Sequence, residues 1–277
     1  MAAKKVVSAG PAKKVVQAEP ALSETKPGSS YVASPEGKKK ASNYRIIAAI
    51  FWAVAIGLEL FVIFWLLKHT EFNYFMVALI AGIVIIGVLA VIGSQFWKKA
   101  NRFDPASEKD KVRFFIQNQL GAIITIVAFI PLIILIFTNK NMSQGQKTLA
   151  GIVGIVIALL AGGLSADWAP PSQEKMDEQT AIVFAYTGKG TVYWVAGGSV
   201  YHLCAEYPAG TTIPALSRGG EDNVVFEGTV AKAVEENKTR LSMYGYSECG
   251  LTEGQPAYPE YLNGADMPGT DPTDQPT

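Results

Sequence analysis

Side chains capable of chemistry are few in this chain, and the densest group lies near its C-terminal end. His202 and Cys204 stand two residues apart in a stretch that reads as a strand, so both point to one face, and Cys249 could approach them from the end of the same domain. Three borderline or soft ligands could begin a zinc or copper site, although a structural zinc normally takes four. A disulfide between the two cysteines, expected if the domain faces an oxidising compartment, and a pair of ordinary buried thiols are the other readings. With two cysteines in all, a disulfide-rich scaffold and a four-cysteine zinc or iron–sulfur site within this chain are excluded.

Glu59 is the second candidate, because it is the one acid inside long apolar sequence. It lies about 20 Å along a helix from Arg45, deep enough that it must be protonated, hydrogen-bonded or in contact with water. Thr125 falls at a similar depth on the third apolar segment. A proton or ion path needs several polar groups in series, whereas the other segment centres are almost purely aliphatic; a structural hydrogen bond or a neutral acid is the plainer reading. The apolar segments hold no histidine, and Cys-x-x-Cys-His and paired Cys/His motifs are missing, so a histidine pair ligating haem within a bilayer cannot come from this chain. A Walker loop and a Gly-x-Ser-x-Gly elbow are missing too. No catalytic residue and no cofactor are expected.

The elements that must position these residues are dominated by four apolar segments, near Arg45 to Leu67, Tyr74 to Trp97, Phe114 to Phe137 and Thr148 to Ala166. Each approaches the roughly 20 residues that a helix needs to cross a hydrocarbon core. The expected class is a membrane α-helical protein with a four-span bundle over residues 44–168. The first segment follows more than forty polar residues and should remain as an anchor rather than a cleaved signal peptide.

A net charge of zero hides two opposed blocks: residues 1–45 carry nine Lys/Arg and three acids, and residues 167–277 carry six and sixteen. Such segregation suits a basic tail near anionic lipid and an acidic domain with little affinity for nucleic acid. Lys38, Lys39, Lys40 and Arg45 precede the first segment, and Lys98, Lys99, Arg102, Lys109, Lys111 and Arg113 crowd the second connection, against Lys68 alone in the first. The positive-inside rule therefore puts the N-terminus in the cytoplasm of a plasma-membrane protein, and four crossings return the C-terminal domain there. If the short, glycine-rich fourth segment fails to span, that domain lies outside.

Residues 1–43 are rich in Ala, Lys, Pro, Ser and Gly, with Ala3-Lys4-Lys5-Val6-Val7 repeated as Ala12-Lys13-Lys14-Val15-Val16, and read as a disordered basic tail. Residues 169–180 read as a linker. A small α+β domain over 181–251 follows, with strands at Thr180 to Thr187, Thr191 to Ala196, Ser199 to Cys204 and Asn223 to Gly228. A tight Gly197-Gly198 hairpin and a Val230 to Asn237 helix capped by Thr229 complete it. Residues 252–277 read as a flexible acidic tail in which Tyr258 and Tyr261 could dock.

Two faces of small residues stand out in the apolar segments. Ala150, Gly154, Ala158, Gly162 and Ala166 recur every four positions, and Ala78, Gly82, Ala90 and Ser94 make a weaker set. Small faces let helices approach closely, either inside one bundle or against a larger membrane complex.

Taken together, the Lys/Ala/Pro tail, the several spans, Ser165-Ala166-Asp167-Trp168-Ala169-Pro170-Pro171 after the last span, and Thr191-Val192-Tyr193-Trp194 through Gly197-Gly198-Ser199-Val200-Tyr201-His202 resemble an actinobacterial membrane protein. The plan is similar to accessory subunits of the corynebacterial cytochrome bcc-aa3 respiratory supercomplex, and the quoted segments cover about half the chain. The resemblance implies a non-catalytic component bound to a quinol-oxidising, oxygen-reducing assembly whose haems and copper sit in other chains, with no redox ligand carried over. The expected partners are membrane lipid and other integral subunits, including cytochrome bcc and aa3 components, and no nucleic acid. The competing reading is a small transporter or sensor that uses Glu59 or the C-terminal domain.

Overall fold

A computed structural model describes residues 14–21, 30–71, 73–208, 210, 213, 216 and 224–251. The chain divides into two compact units, one from residues 38–170 and one that joins residues 1–37 to 171–277.

The first unit is helical. Helix α1 (Pro35–Phe64) runs into a 3-10 turn at Leu66–Lys68 and is followed by α2 (Phe75–Phe103), α3 (Lys111–Thr138) and α4 (Gln144–Ser165). All four are long and apolar enough to cross a membrane. Their ends follow local chemistry. Asp110 accepts a hydrogen bond from the Arg113 amide at the start of α3, and Ser143 and Gln146 form a reciprocal capping box at the start of α4. Helix α1 begins ten residues ahead of Arg45, because Ser34 accepts from the Gly37 amide and Pro35 occupies the first helical turn, where its missing N–H costs nothing.

Packing in this unit is tightest among α2, α3 and α4. One end of the core is aliphatic, built on Leu79, Ile83, Ile86, Phe129, Leu132 and Ile136. The other end is polar: Asn101 donates to the Gln117 carbonyl at 3.0 Å and to Asn118 at 3.2 Å, and Thr125 bonds Ser165 at 3.2 Å. At that end Arg45 also pairs with Asp104 at 2.9 Å. Helix α1 is attached by a narrow seam. Ala48, Trp52, Ala55, Glu59 and Val62 are buried, three or four residues apart, while Ile46, Ile50, Val54, Leu60, Phe61 and Phe64 stay exposed.

The second unit mixes helix and strand and draws on both ends of the chain. It holds β1 (Lys14–Gln17), α5 (Gln173–Thr187), β2 (Thr191–Trp194), β3 (Val200–Tyr201), β4 (Val224–Thr229), α6 (Val230–Glu235), β5 (Arg240–Leu241) and α7 (Gly245–Glu248). One sheet has the order β1-β4-β2, with β1 parallel and β2 antiparallel to β4, and a second pairs β3 with β5 in parallel. A single bridge between Tyr193 and His202 links the two, with reciprocal hydrogen bonds of 2.8 and 2.7 Å. Val183, Tyr186, Val192, Trp194, Tyr201, Leu203, Val230 and Ala233 form the core between the helices and the sheet.

Several expectations need correction here. Thr180 to Thr187 is the second half of α5, not a strand, and the expected linker 169–180 already contains its first half. Met176, Thr180, Val183 and Tyr186, together with Ala185, are its buried residues, and the helical spacing of the first four shows only when the residues before Thr180 are included. Ser172 caps its start, and Gly188 closes it at φ 63°, a left-handed conformation that glycine adopts without strain. Regular pairing in the Ser199 to Cys204 stretch is confined to Val200–Tyr201, and the reversal at Gly197-Gly198 is a wider loop in which the Gly198 amide donates to the Val195 carbonyl. The helix capped by Thr229 forms, ending at Glu235.

The tail expected to be disordered instead supplies β1, and Tyr31 and Ala33 pack against Met176, Ala231 and Val234. Its local composition is too polar to announce this, because the apolar partners come from the far end of the chain. Asn223, at the start of the expected fourth strand, Tyr258, Tyr261 and the expected acidic tail 252–277 lie outside the described residues.

Candidate functional site

In the terminal unit the structure brings His202, Cys204 and Cys249 to one neighbourhood. Cys204 and Cys249 are joined by a disulfide with Cα atoms 5.8 Å apart, tying the segment after β3 to the residue after α7. Both sulfurs are taken by that bond, so they do not serve as metal ligands in this state. Among the described residues no group of three or more His, Cys, Asp or Glu side chains could hold a metal ion. His202 is 2% exposed, and its Nδ1 lies 2.8 Å from Glu248 Oε2. Glu248 is the residue the spacing could not find: it stands beside Cys249 in sequence, and only the chain reversal that forms the disulfide carries it to His202.

Around this cluster, burial shapes the ionisable groups. The Tyr201 hydroxyl is pushed well above the usual phenol range, first by burial and then by the neighbouring Tyr246 and Glu178, and it donates to Gln179 Oε1. Tyr193 is raised by burial and by Glu227. Lys238 is lowered by burial, against a smaller upward pull from Glu236, and its Nζ donates to the Ala196 and Gly198 carbonyls at 2.9 and 2.6 Å. That lysine fixes the loop between β2 and β3 and stands beside a groove of about 420 Å³ lined by Ala18, Glu19, Trp194, Phe226, Lys232 and Lys238. The lining mixes an apolar floor, Trp194 and Phe226, with both signs of charge, Glu19 against Lys232 and Lys238.

In the helical unit Glu59 is 5% exposed on the buried stripe of α1, between Trp52 and Val62, and no hydrogen-bond partner reaches it among the described residues. Thr125 is not joined to it: its hydroxyl donates to the Gly121 carbonyl and meets Ser165, on α4. The small-residue faces are spent inside the unit. Ala150 is buried in the core, a Cβ at Gly154 would meet Ile133 at 3.3 Å, one at Gly162 would meet Ile126 at 3.7 Å, and Ala158 packs on the aliphatic core. Ala166 is the C-cap of α4, half-buried. On α2, Ala78 packs on the core, a Cβ at Gly82 would meet Val62 at 3.0 Å, and the Ala90 carbonyl accepts from Trp52 Nε1.

A polar set at one end of this unit escaped the sequence reading. Lys98 and Gln95 donate to the Leu164 carbonyl, and Gln119 donates to that of Asp167, so three side chains satisfy carbonyls at the α4 terminus. Asp167 and Arg102 face one another at 3.9 Å, both buried, and Asp167 Oδ2 has no hydrogen-bond partner among the described residues. The amphipathic side chains at the segment ends were the available signal, but they also satisfied the simpler reading as topology signals. No protein-family model, curated protein or solved structure matches the chain.

Proposed function

We propose that this chain is a non-catalytic structural or assembly subunit of a plasma-membrane complex. The observation that carries the reading is the exposed face of α1. A helix attached by one narrow seam leaves Ile50, Val54, Phe61 and Phe64 outside, a continuous apolar surface that a partner helix can cover in a bilayer. The small faces of α2 and α4 are occupied by neighbours within the chain, so we assign docking to α1 in their place. The partner named by the overall plan is a respiratory assembly of the cytochrome bcc-aa3 type, with the haems and copper in its other chains.

The pairing of β1 with β4 supports a topology in which the N-terminal segment and the C-terminal unit share one side of the membrane, as four crossings by the four apolar helices would give. The Lys/Arg distribution favours the cytoplasm as that side. The disulfide argues the other way, since such bonds persist in oxidising compartments. We give the loop charges precedence because they act while the spans insert, and treat Cys204 and Cys249 as a pair that a reducing cytoplasm holds open.

Extraction of the tagged protein from its native membrane in mild detergent, with identification of co-purifying chains and a reduced-minus-oxidised spectrum, tests the reading. Stoichiometric haem-bearing subunits are expected, lost with Ile50→Trp/Val54→Trp while the variant itself stays folded. A colourless single species would sink the respiratory assignment. The transporter or sensor reading keeps one supporting observation, the buried and unpartnered Glu59. It requires proton-dependent flux or response in liposomes that Glu59→Gln abolishes.

A further inference from the structure

The N-terminal repeat is longer than its shared Ala-Lys-Lys-Val-Val run. Residues 3–11 read Ala-Lys-Lys-Val-Val-Ser-Ala-Gly-Pro and residues 12–20 read Ala-Lys-Lys-Val-Val-Gln-Ala-Glu-Pro, so seven of nine positions match. The second copy is the one seated on β4, with Val16 opposite Phe226, Gln17 opposite Glu227, and the Ala18 amide donating to the Glu227 carbonyl at 2.7 Å. Burial alternates along it: Val16 and Ala18 are half-buried, whereas Val15, Gln17 and Glu19 are exposed.

Ala18 sits over Gly228. A Cβ on Gly228 would stand 2.7 Å from Trp194 and 3.4 Å from the Ala18 Cβ, so Trp194 requires a bare β4 backbone there and Ala18 lies within contact range of it. Set against this alternation, the two differences between the copies are informative. The inward residues Val16 and Ala18 are matched by Val7 and Ala9, while Gln17 and Glu19, replaced by Ser8 and Gly10, both point outward. Everything the β4 edge reads is present twice.

We propose that the β4 edge is a strand-binding site with two tandem ligands in the same chain, and that residues 5–8 seat in place of Lys14–Gln17 by a shift of nine residues. Main-chain hydrogen bonds supply affinity in either seating, and the inward Val-x-Ala spacing supplies selectivity. The exchange has a predictable bias. The chain is anchored again at Tyr31, whose amide donates to Asp177, so the intervening loop after Ala18 is twelve residues with the second copy seated and, after Ala9, twenty-one with the first. Nearly doubling a loop disfavours closure by about threefold, so the second copy predominates and the first remains populated. Seating the first copy also removes Glu19 from beside Lys232 and Lys238 and puts Gly10 in its place in the repeat. The edge thus trades one local charge pattern for another.

Hydrogen exchange of the full-length protein in mild detergent, followed on the peptide that covers β4, tests this. Val7→Asp is expected to leave protection of β4 nearly unchanged. At the β4 amides turned toward β1, Val16→Asp is expected to lower it only about fourfold, the share held by the first copy under the threefold bias, and the double variant to abolish it, while the amides bonded to β2 keep theirs. Equal loss in Val16→Asp and in the double variant would overturn the exchange. With p-benzoylphenylalanine in place of Ser8, cross-links to β4 within one chain support it. In a mixture of isotope-heavy and light protein, cross-links found only between differently labelled chains would overturn it in favour of strand donation by a second copy.

Discussion

The helical unit and the terminal unit solve the same problem of burying side chains by opposite routes. In the helical unit each element satisfies its own backbone over 22 to 30 residues, and α2 packs on both α3 and α4. In the terminal unit the strands are two to six residues long, and distant segments are joined, with Lys14 opposite Val224 in the sheet and Cys204 bonded to Cys249 outside it. Local order therefore does not measure global constraint. The helices would survive the loss of one contact, whereas the terminal unit depends on a few contacts between distant segments.

That contrast can be broken from the terminal side first. Trp194, 2% exposed and central to the sheet face, makes the largest test: Trp194→Ala is expected to cost about 3–5 kcal/mol of the terminal unit's stability by chemical denaturation. Helical circular dichroism from the apolar helices should persist through that transition. If both units unfold together, their independence is wrong.

Next comes the covalent closure, which spans 45 residues of sequence. Reduction, or Cys204→Ser/Cys249→Ser, is expected to destabilise the terminal unit by about 2–4 kcal/mol and to leave the helical unit's thermal transition in place. Alkylation in intact cells then reads the compartment: free thiols reached only by a membrane-permeant maleimide fit the cytoplasmic assignment, and an intact bond resistant until reductant is added counts against it.

The helical unit has its own sensitive points. A Cβ at Gly93 would stand 2.7 Å from the Trp52 ring, whereas one at Gly163 meets nothing within 4 Å. Gly93→Leu should cost about 1–3 kcal/mol by splaying the α1 seam, and Gly163→Leu should be close to neutral. Comparable losses from the two would mean that the seam does not hold α1.

The smallest effect is a slope with pH. The Tyr201 pKa is raised above the ordinary phenol value of 10.0, so its contribution is complete below that value and falls as the pH climbs toward the folded one, because the unfolded phenol ionises first. The terminal unit should thus lose stability above about pH 10, and Tyr201→Phe should flatten that loss relative to its own baseline. A slope unchanged by the substitution would assign it to another group.

Much of the helical unit was legible. The four apolar stretches announced themselves by length, and Asp110, Ser143 and Gln146 carried capping signals next to them. The start of α1 was also written locally, in Ser34-Pro35-Glu36, but the basic run at Lys38 to Lys40 obscured it, since lysines there satisfied a topology signal as well as a helix. Thr180 to Thr187 went astray for a different reason. Eight residues of mixed apolar and small side chains fit either period, and the helical one emerges only with Met176 in view. Among the site residues, the proximity of His202, Cys204 and Cys249 and a bond between the two cysteines were visible as possibilities, while the pairing of His202 with Glu248 was not.

By itself, the sequence determined where the long apolar helices lie, the Thr229 cap of the short helix after β4, and how charge is divided between the two ends of the chain. Those properties follow from a backbone that closes its hydrogen bonds four residues away and from side chains that repeat within a turn or two. Only the tertiary structure decided that the small faces of α2 and α4 are consumed inside the unit, that Glu59 is buried without a hydrogen-bond partner among the described residues, and that Lys14–Gln17 pairs with β4. Each of these depends on which surface meets which across long separations in sequence, and a strand of four residues with two valines has no local period from which its partner could be read.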